Sequence, residues 1–185
     1  MDYGWINPSA MIWLAIDYDD NVFAWDEGGG IEKTPAELVA MNQKHGKRII
    51  TPCDYSIKRP DSHGRSLWDD LLREGLMLIE SNKQEIENIV LVNTMLKNGR
   101  LKICRNCVEL IKEIKNYKWK RLKLGEEKNH PEQPVDKDNH YIDALLYGVA
   151  FIERRRSQDP AVLREQQSLR SMTMRVPEPK WEDRG

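Results

Sequence analysis

Short apolar runs bounded by polar turn clusters mark the first part of the chain as strands. Residues 9–16 form an apolar run with Ile12, Trp13 and Leu14. Asp17, Tyr18, Asp19, Asp20 and Asn21 make a turn cluster, and 22–25 return as the second arm of a hairpin. Gly28, Gly29 and Gly30 read as a flexible link that ends this strand. The pattern then changes. Thr34 is an N-cap, Pro35 occupies the first helical position and Glu37 completes a capping box, so a helix is expected up to Gly46. Residues 48–53 form a short strand ending at Asp54. Ser66 caps a helix with Leu67, Trp68, Leu71 and Leu72 on one side, stopped by Gly75, and 76–79 form a short strand. Residues 83–97 are helical, with Ile86, Ile89, Val90 and Leu96 near helical spacing.

After the Asn98-Gly99 turn, 100–104 is a strand. Residues 106–119 form a helix that turns Leu110, Ile111, Ile114 and Tyr117 inward and lysines outward. Residues 125–136 are polar and proline-bearing, hence a loop. Asp138 or Asn139 caps a last helix with a buried stripe of Ile142, Leu145, Leu146, Val149 and Ile152. This order predicts a mixed α/β fold, antiparallel strands first and parallel crossovers later, flanked by helices. One domain is expected over 1–150, and a frayed helix with a disordered tail over 151–185.

Composition narrows the function classes. Charged residues make up 32% of the chain and hydrophobic residues 39%, enough for a core beneath a very polar surface. No stretch approaches 18 apolar residues, so no membrane span is expected, and the N-terminus lacks the pattern of a secretory signal. Three cysteines, Cys53, Cys104 and Cys107, follow no disulfide spacing and favour a reducing, intracellular setting. The net charge is −1, but from Arg100 to Lys123 nine basic residues face two acids. A solvated helix face explains this, as does a phosphate-binding surface.

The chemistry rests on three carboxylates. Asp2 lies at the end of a strand, Asp54 at the carboxyl end of 48–53, and Asp143 among apolar neighbours in the first turns of the last helix. An Asp so surrounded is costly unless a positive charge compensates, and a divalent cation supplies one. Each also has an ordinary reading: a terminal residue, a turn former, and a favourable charge at a helix N-terminus. His140 and Tyr147 share one helical face with Asp143. His140 suits a ligand, a proton shuttle or electrostatic support of a phosphate, and equally a histidine satisfied near a helix start. His45, His63 and His130 carry no assigned role.

Together these segments resemble a known family. Asp2-Tyr3-Gly4-Trp5 leading to Asn7-Pro8 and a strand, Thr51-Pro52-Cys53-Asp54-Tyr55-Ser56, the helix from Cys107 to Ile114 with Tyr117-Lys118-Trp119, and Pro134, Lys137, Asp138, His140, Asp143-Ala144-Leu145 and Tyr147 are similar in order to the nuclease domain of phage terminase large subunits. The resemblance covers roughly residues 2–150. It implies a ribonuclease H-like fold and two-metal hydrolysis of double-stranded DNA during genome packaging, with two Mg²⁺ or Mn²⁺ ions. It makes Asp2, Asp54 and Asp143 metal-binding catalytic acids and His140 a catalytic auxiliary. It also implies an ATPase motor domain, a terminase small subunit and a portal as partners, in the cytoplasm of an infected bacterium. In that context Lys112, Lys115, Lys118, Lys120 and Arg121 are candidate contacts to DNA phosphates. The chain departs from the family at Leu146, commonly Arg, and at Asn139, frequently Asp. The strand that should carry Asp2 is cut short, and no nucleotide-binding loop motif is found.

Other readings are a redox pair at Cys104-Arg105-Asn106-Cys107, a zinc site lacking a second cysteine pair, another ribonuclease H-like nuclease such as a junction resolvase, and a DNA-binding or packaging module that does not cut.

Overall fold

The structure is a computed structural model, and it describes residues 1–81, 84–118 and 138–160. The chain divides into a unit spanning Met1–Phe151 and a second spanning Ile152–Gly185. The expected loop at 125–136, Trp119, Lys120, Arg121 and the tail from 161 onward lie outside the described residues.

The hairpin forms as expected, with β1 at Ser9–Ile16 and β2 at Val22–Gly30 paired antiparallel. Asp17 builds its turn: one carboxylate oxygen accepts from the N–H of Asp19 at 2.9 Å and of Asn21 at 2.8 Å. The triple glycine is no flexible link. Gly28, Gly29 and Gly30 pair with Met11, Ala10 and Ser9 and continue β2. The reason is close approach. A Cβ on Gly29 would lie 1.9 Å from the Ser9 carbonyl oxygen, and one on Gly28 would meet the Trp13 ring at 3.0 Å. The parallel partner of β2 is β5, Leu101–Ile103.

Helix α1, Pro35–Gln43, starts with the expected capping box: Thr34 accepts from the Glu37 N–H, and Glu37 reaches back to the Thr34 N–H. Trp13 is tied to α1 through a buried 3.0 Å bond from its indole N–H to Asn42. Strand β3, Ile50–Cys53, pairs parallel with β4, Met77–Glu80, across the helix α2, Leu67–Arg73. Leu38, Leu71 and Leu76 are fully or almost fully buried in this core, each contributing about 1.5–3 kcal/mol. Leu72, expected inside, is 43% exposed.

Helix α3 spans Glu85–Lys97, but its inward face is rotated from the expected one. Asn88, Ile89, Val92 and Met95 are buried, while Ile86 and Val90 are exposed. Two apolar side chains outside and one amide inside shift the stripe, which hydrophobic spacing by itself misreads. Helix α4 covers Val108–Asn116 and buries Leu110, and α5 covers His140–Ser157. In the first unit α5 buries Ile142, Leu145, Leu146 and Val149, four of the predicted stripe. Leu146 is packed at 3% exposure, so this position does not reach a phosphate. Gly148 lets the helix approach β1, since a Cβ there would lie 2.6 Å from Leu14 Cδ1.

The strands form two groups, β1-β2-β5 and β3-β4. The Met1-Asp2 stub joins them. Asp2 exchanges both backbone hydrogen bonds with Ala10, at 2.9 and 2.7 Å. The Met1 amine donates to the Pro52 carbonyl at 2.7 Å. The segment carrying Asp2 thus forms one bridge, with a neighbour on each side. Among the described residues no helix is long and apolar enough to cross a membrane.

Candidate metal centre

The stub places the first two acids on neighbouring segments. Met1 bonds to Pro52, and Asp54 follows two residues later at the carboxyl end of β3. Asp54 caps a short 3-10 helix, Tyr55–Lys58, by accepting from the Ser56 N–H. That turn, absent from the sequence expectation, is held by Lys58. Its ammonium pairs with Glu80 on β4 and lies 4.3 Å from the Trp68 ring centroid.

The third acid comes from the start of α5. Asp143 is half-buried, and its Oδ2 accepts from the Asn139 amide at 3.1 Å. One turn earlier, His140 Nδ1 lies 2.9 Å from Asp2 Oδ2, with the two side chains 19% and 17% exposed. Against a carboxylate the imidazole places its proton on Nδ1, which fixes its tautomer and ring orientation. A bond spanning 138 residues therefore ties the last helix to the first strand.

Tyr147, one turn after Asp143, reports on all three acids. Burial raises the pKa of its phenol, and the negative charges of Asp143, Asp2 and Asp54, then Cys53, raise it further. The three predicted carboxylates lie on three different elements. They do not form a finished cage: among the described residues, no three His, Cys, Asp or Glu side chains are gathered closely enough to hold an ion as they stand. The donor set suits a hard divalent cation, being carboxylate oxygens rather than thiolates.

Glu113 is a site residue that sequence reasoning does not find. It sits on α4 and accepts from the Ile142 N–H at 2.9 Å. Burial pushes its carboxyl up to about 7, against the opposing pull of the N–H bond from Ile142. The available signal is an acid within the partly inward side of a lysine-rich helix. In the unfolded chain this carboxyl titrates near 4.5. Between that pH and about 7 the unfolded chain gives up its proton first. Folding stability from this group is therefore present below pH 4.5 and is lost as pH rises to about 7. Glu113→Gln cannot titrate. Urea unfolding from pH 4.5 to 7.5 is expected to show wild type losing stability relative to this variant; parallel curves would contradict the raised value.

The basic run divides. Lys112, Lys115 and Lys118 are exposed on or just beyond α4, with Lys112 paired to Glu109 at 3.0 Å. Lys120 and Arg121 lie outside the described residues. The redox reading finds no support. Cys107 is buried, its thiol faces the Ala24 carbonyl at 3.4 Å, and burial raises its pKa to about 12, so a reactive thiolate is disfavoured. His45 is a packing residue, 4.2 Å from the Trp13 ring centroid and 3.3 Å from Asp26 Oδ2.

Comparison with known proteins finds phage large terminases. Residues 76–150, less than half of the chain, match the family model of the terminase RNase H-like domain. The chain is 29% identical over 159 residues to the terminase large subunit of Escherichia phage T5, covering 83% of this chain and 35% of that protein. It therefore spans about a third of the length of that curated relative. Among solved structures, the nuclease domain of the P22 large terminase superposes with a TM-score of 0.65 at 19% identity, covering 83% of this chain and 78% of that one. The large-terminase nuclease domain of bacteriophage SPP1, with bound Mn, gives 0.53 at 24% identity, covering 83% of each chain.

Proposed function

We propose that this chain, a ribonuclease H-like domain of the phage large-terminase type, is a divalent-metal-dependent endonuclease that cuts double-stranded DNA during genome packaging. The observation carrying this reading is that His140, one turn before Asp143 on α5, meets Asp2 at 2.9 Å, while Met1 beside Asp2 bonds to Pro52 two residues before Asp54. The relative with bound Mn supports use of Mn²⁺ or Mg²⁺. Two such ions held by the three acids would supply the positive charge that activates water and stabilises the leaving oxygen of a phosphodiester.

The chain's own residues prepare that site. His140 orients the Asp2 carboxylate, which favours electrostatic and positioning support over direct ligation. Asn139 orients Asp143, and the Ser56 N–H orients Asp54. Exposed lysines of α4 offer charge to DNA phosphates without reading sequence. The remainder of a terminase large subunit, including an ATPase motor, and contacts to a small subunit and portal belong to the same proposal.

The test is nicking of supercoiled plasmid with Mn²⁺ or Mg²⁺, expected to stop on chelation. The alternative is a DNA-binding packaging module that does not cut, favoured by the lack of a ready three-ligand set among the described residues. Binding without nicking under every metal condition would support that alternative. Replacing Lys112, Lys115 and Lys118 by alanine is expected to weaken duplex binding and reduce the salt slope by about 0.9 for each phosphate no longer neutralised, or roughly 2–3 in all. An unchanged slope would place the DNA on another face.

A further inference from the structure

The first N–H groups of a helix have no acceptor within it, and the residue at the cap position ordinarily supplies one. At the start of α5 that residue is Asn139. Its amide nitrogen donates to Asp143 Oδ2 at 3.1 Å, and among the described residues no first-turn N–H bonds to its amide oxygen. The Ile142 N–H is satisfied from outside, by Glu113 Oε2 at 2.9 Å. Glu113 thus caps α5 from α4, 29 residues earlier in the chain than Ile142. A carboxyl oxygen at this end also meets the positive pole of the helix.

The same device occurs one element earlier. Cys107, at the cap position of α4, makes no side-chain cap bond. The N–H groups of Glu109 and Leu110 donate to the two carboxylate oxygens of Glu27 on β2, at 2.7 and 3.0 Å. Sheet residue Glu27 therefore docks α4, Glu113 on α4 docks α5, and His140 on α5 meets Asp2 on the stub.

We propose that Glu113 is a positioning residue for the acidic site. By taking over the cap of α5 it leaves Asn139 to hold Asp143 and sets the height of His140 against Asp2. This inference rests on the proposed metal-holding role of Asp2 and Asp143. Without Glu113, the exposed first turn draws the Asn139 side chain round to present its amide oxygen, the amide nitrogen moves off Asp143, and the bond between His140 and Asp2 loosens. The effect is on site geometry as well as on stability, which separates it from a simple packing role.

The test uses the full chain and two readouts. One is the imidazole ¹⁵N resonances of His140 in metal-free protein. The other is calorimetric titration with Mn²⁺ alone. Glu113→Ala is expected to shift the His140 resonances and weaken Mn²⁺ binding about 10-fold, as for loss of a residue that orients a ligand. Glu113→Gln, which keeps an acceptor oxygen, is expected to restore both. Should the alanine variant fail to fold, Glu113→Asp, one methylene shorter, must still shift the His140 resonances. A lower melting temperature in Glu113→Ala with unchanged His140 resonances and unchanged Mn²⁺ affinity overturns the proposal. So does unchanged His140 in Glu113→Asp when the alanine variant is unfolded. If wild type takes up no Mn²⁺, but the resonances move in Glu113→Ala and return in Glu113→Gln, Glu113 still positions the His140–Asp2 pair and the nuclease reading fails instead.

Discussion

Alanine at Asp143 or at Asp54 is expected to reduce metal-dependent nicking by at least about 100-fold while leaving duplex binding within a few-fold of wild type. The magnitude follows from comparison with outer-shell groups. Removing a residue that merely orients a ligand commonly costs 10–100-fold in metal affinity or activity, so loss of the carboxylate itself is expected to cost no less. The two acids come from the start of α5 and the end of β3. If they hold ions together, either substitution disables the same step, and the double variant falls little further than the single ones. Rates from supercoiled plasmid with Mn²⁺, beside gel-shift affinities for the same variants, provide the measurement. Nicking at the wild-type rate by Asp143→Ala would remove the carboxylate site from the mechanism. A loss confined to one acid would leave the other as a capping residue, as Asp54 already is for the 3-10 turn.

The second large effect concerns the fold. Gly29→Ala is expected to destabilise the protein by about 3 kcal/mol, at the upper end for overpacking a well-packed region. The added Cβ would meet the Ser9 carbonyl oxygen at 1.9 Å, a backbone atom that cannot swing away as a side-chain end can. Gly29 also has φ of +154°, where an L side chain is strained. Relief requires opening the pairing of Ser9 with Gly30 and Ala10 with Gly29. Ala10 in turn holds Asp2 through two backbone hydrogen bonds. The variant should therefore lose stability in urea titration and, where still folded, weaken the acidic site. Gly64 is the control: a Cβ added there has nothing within 4 Å and φ is +74°, so Gly64→Ala should show only the smaller backbone strain. Equal losses in the two variants would show that the clash with Ser9 does not matter.

Local chemistry explains which elements are legible from residues alone. The capping box of Thr34 and Glu37, the turn of Asp17 and Asn21, and the Ser66 cap each complete their bonds within about four residues. The α5 stripe Ile142, Leu145, Leu146 and Val149 is a regular apolar pattern and is buried as expected. Residue patterns mislead where the deciding neighbour is remote. Gly28, Gly29 and Gly30 look like a link until β1 lies beside them. The inward face of α3 depends on Asn88 being buried in place of Ile86 or Val90, and amphipathic spacing carries no record of that.

The same division holds for the acidic site. The order Asp2, Asp54, Asp143, with His140 one turn before the last, is written in the residues, because side-chain type and helical spacing are local properties. Their placement is decided by tertiary structure: Met1 and Asp2 bridge Pro52 and Ala10, His140 reaches Asp2 across the chain, and Glu113 caps a helix it does not belong to. A hydrogen bond between distant segments has no signature in either segment, since each donor or acceptor would be equally content with water until the fold removes it.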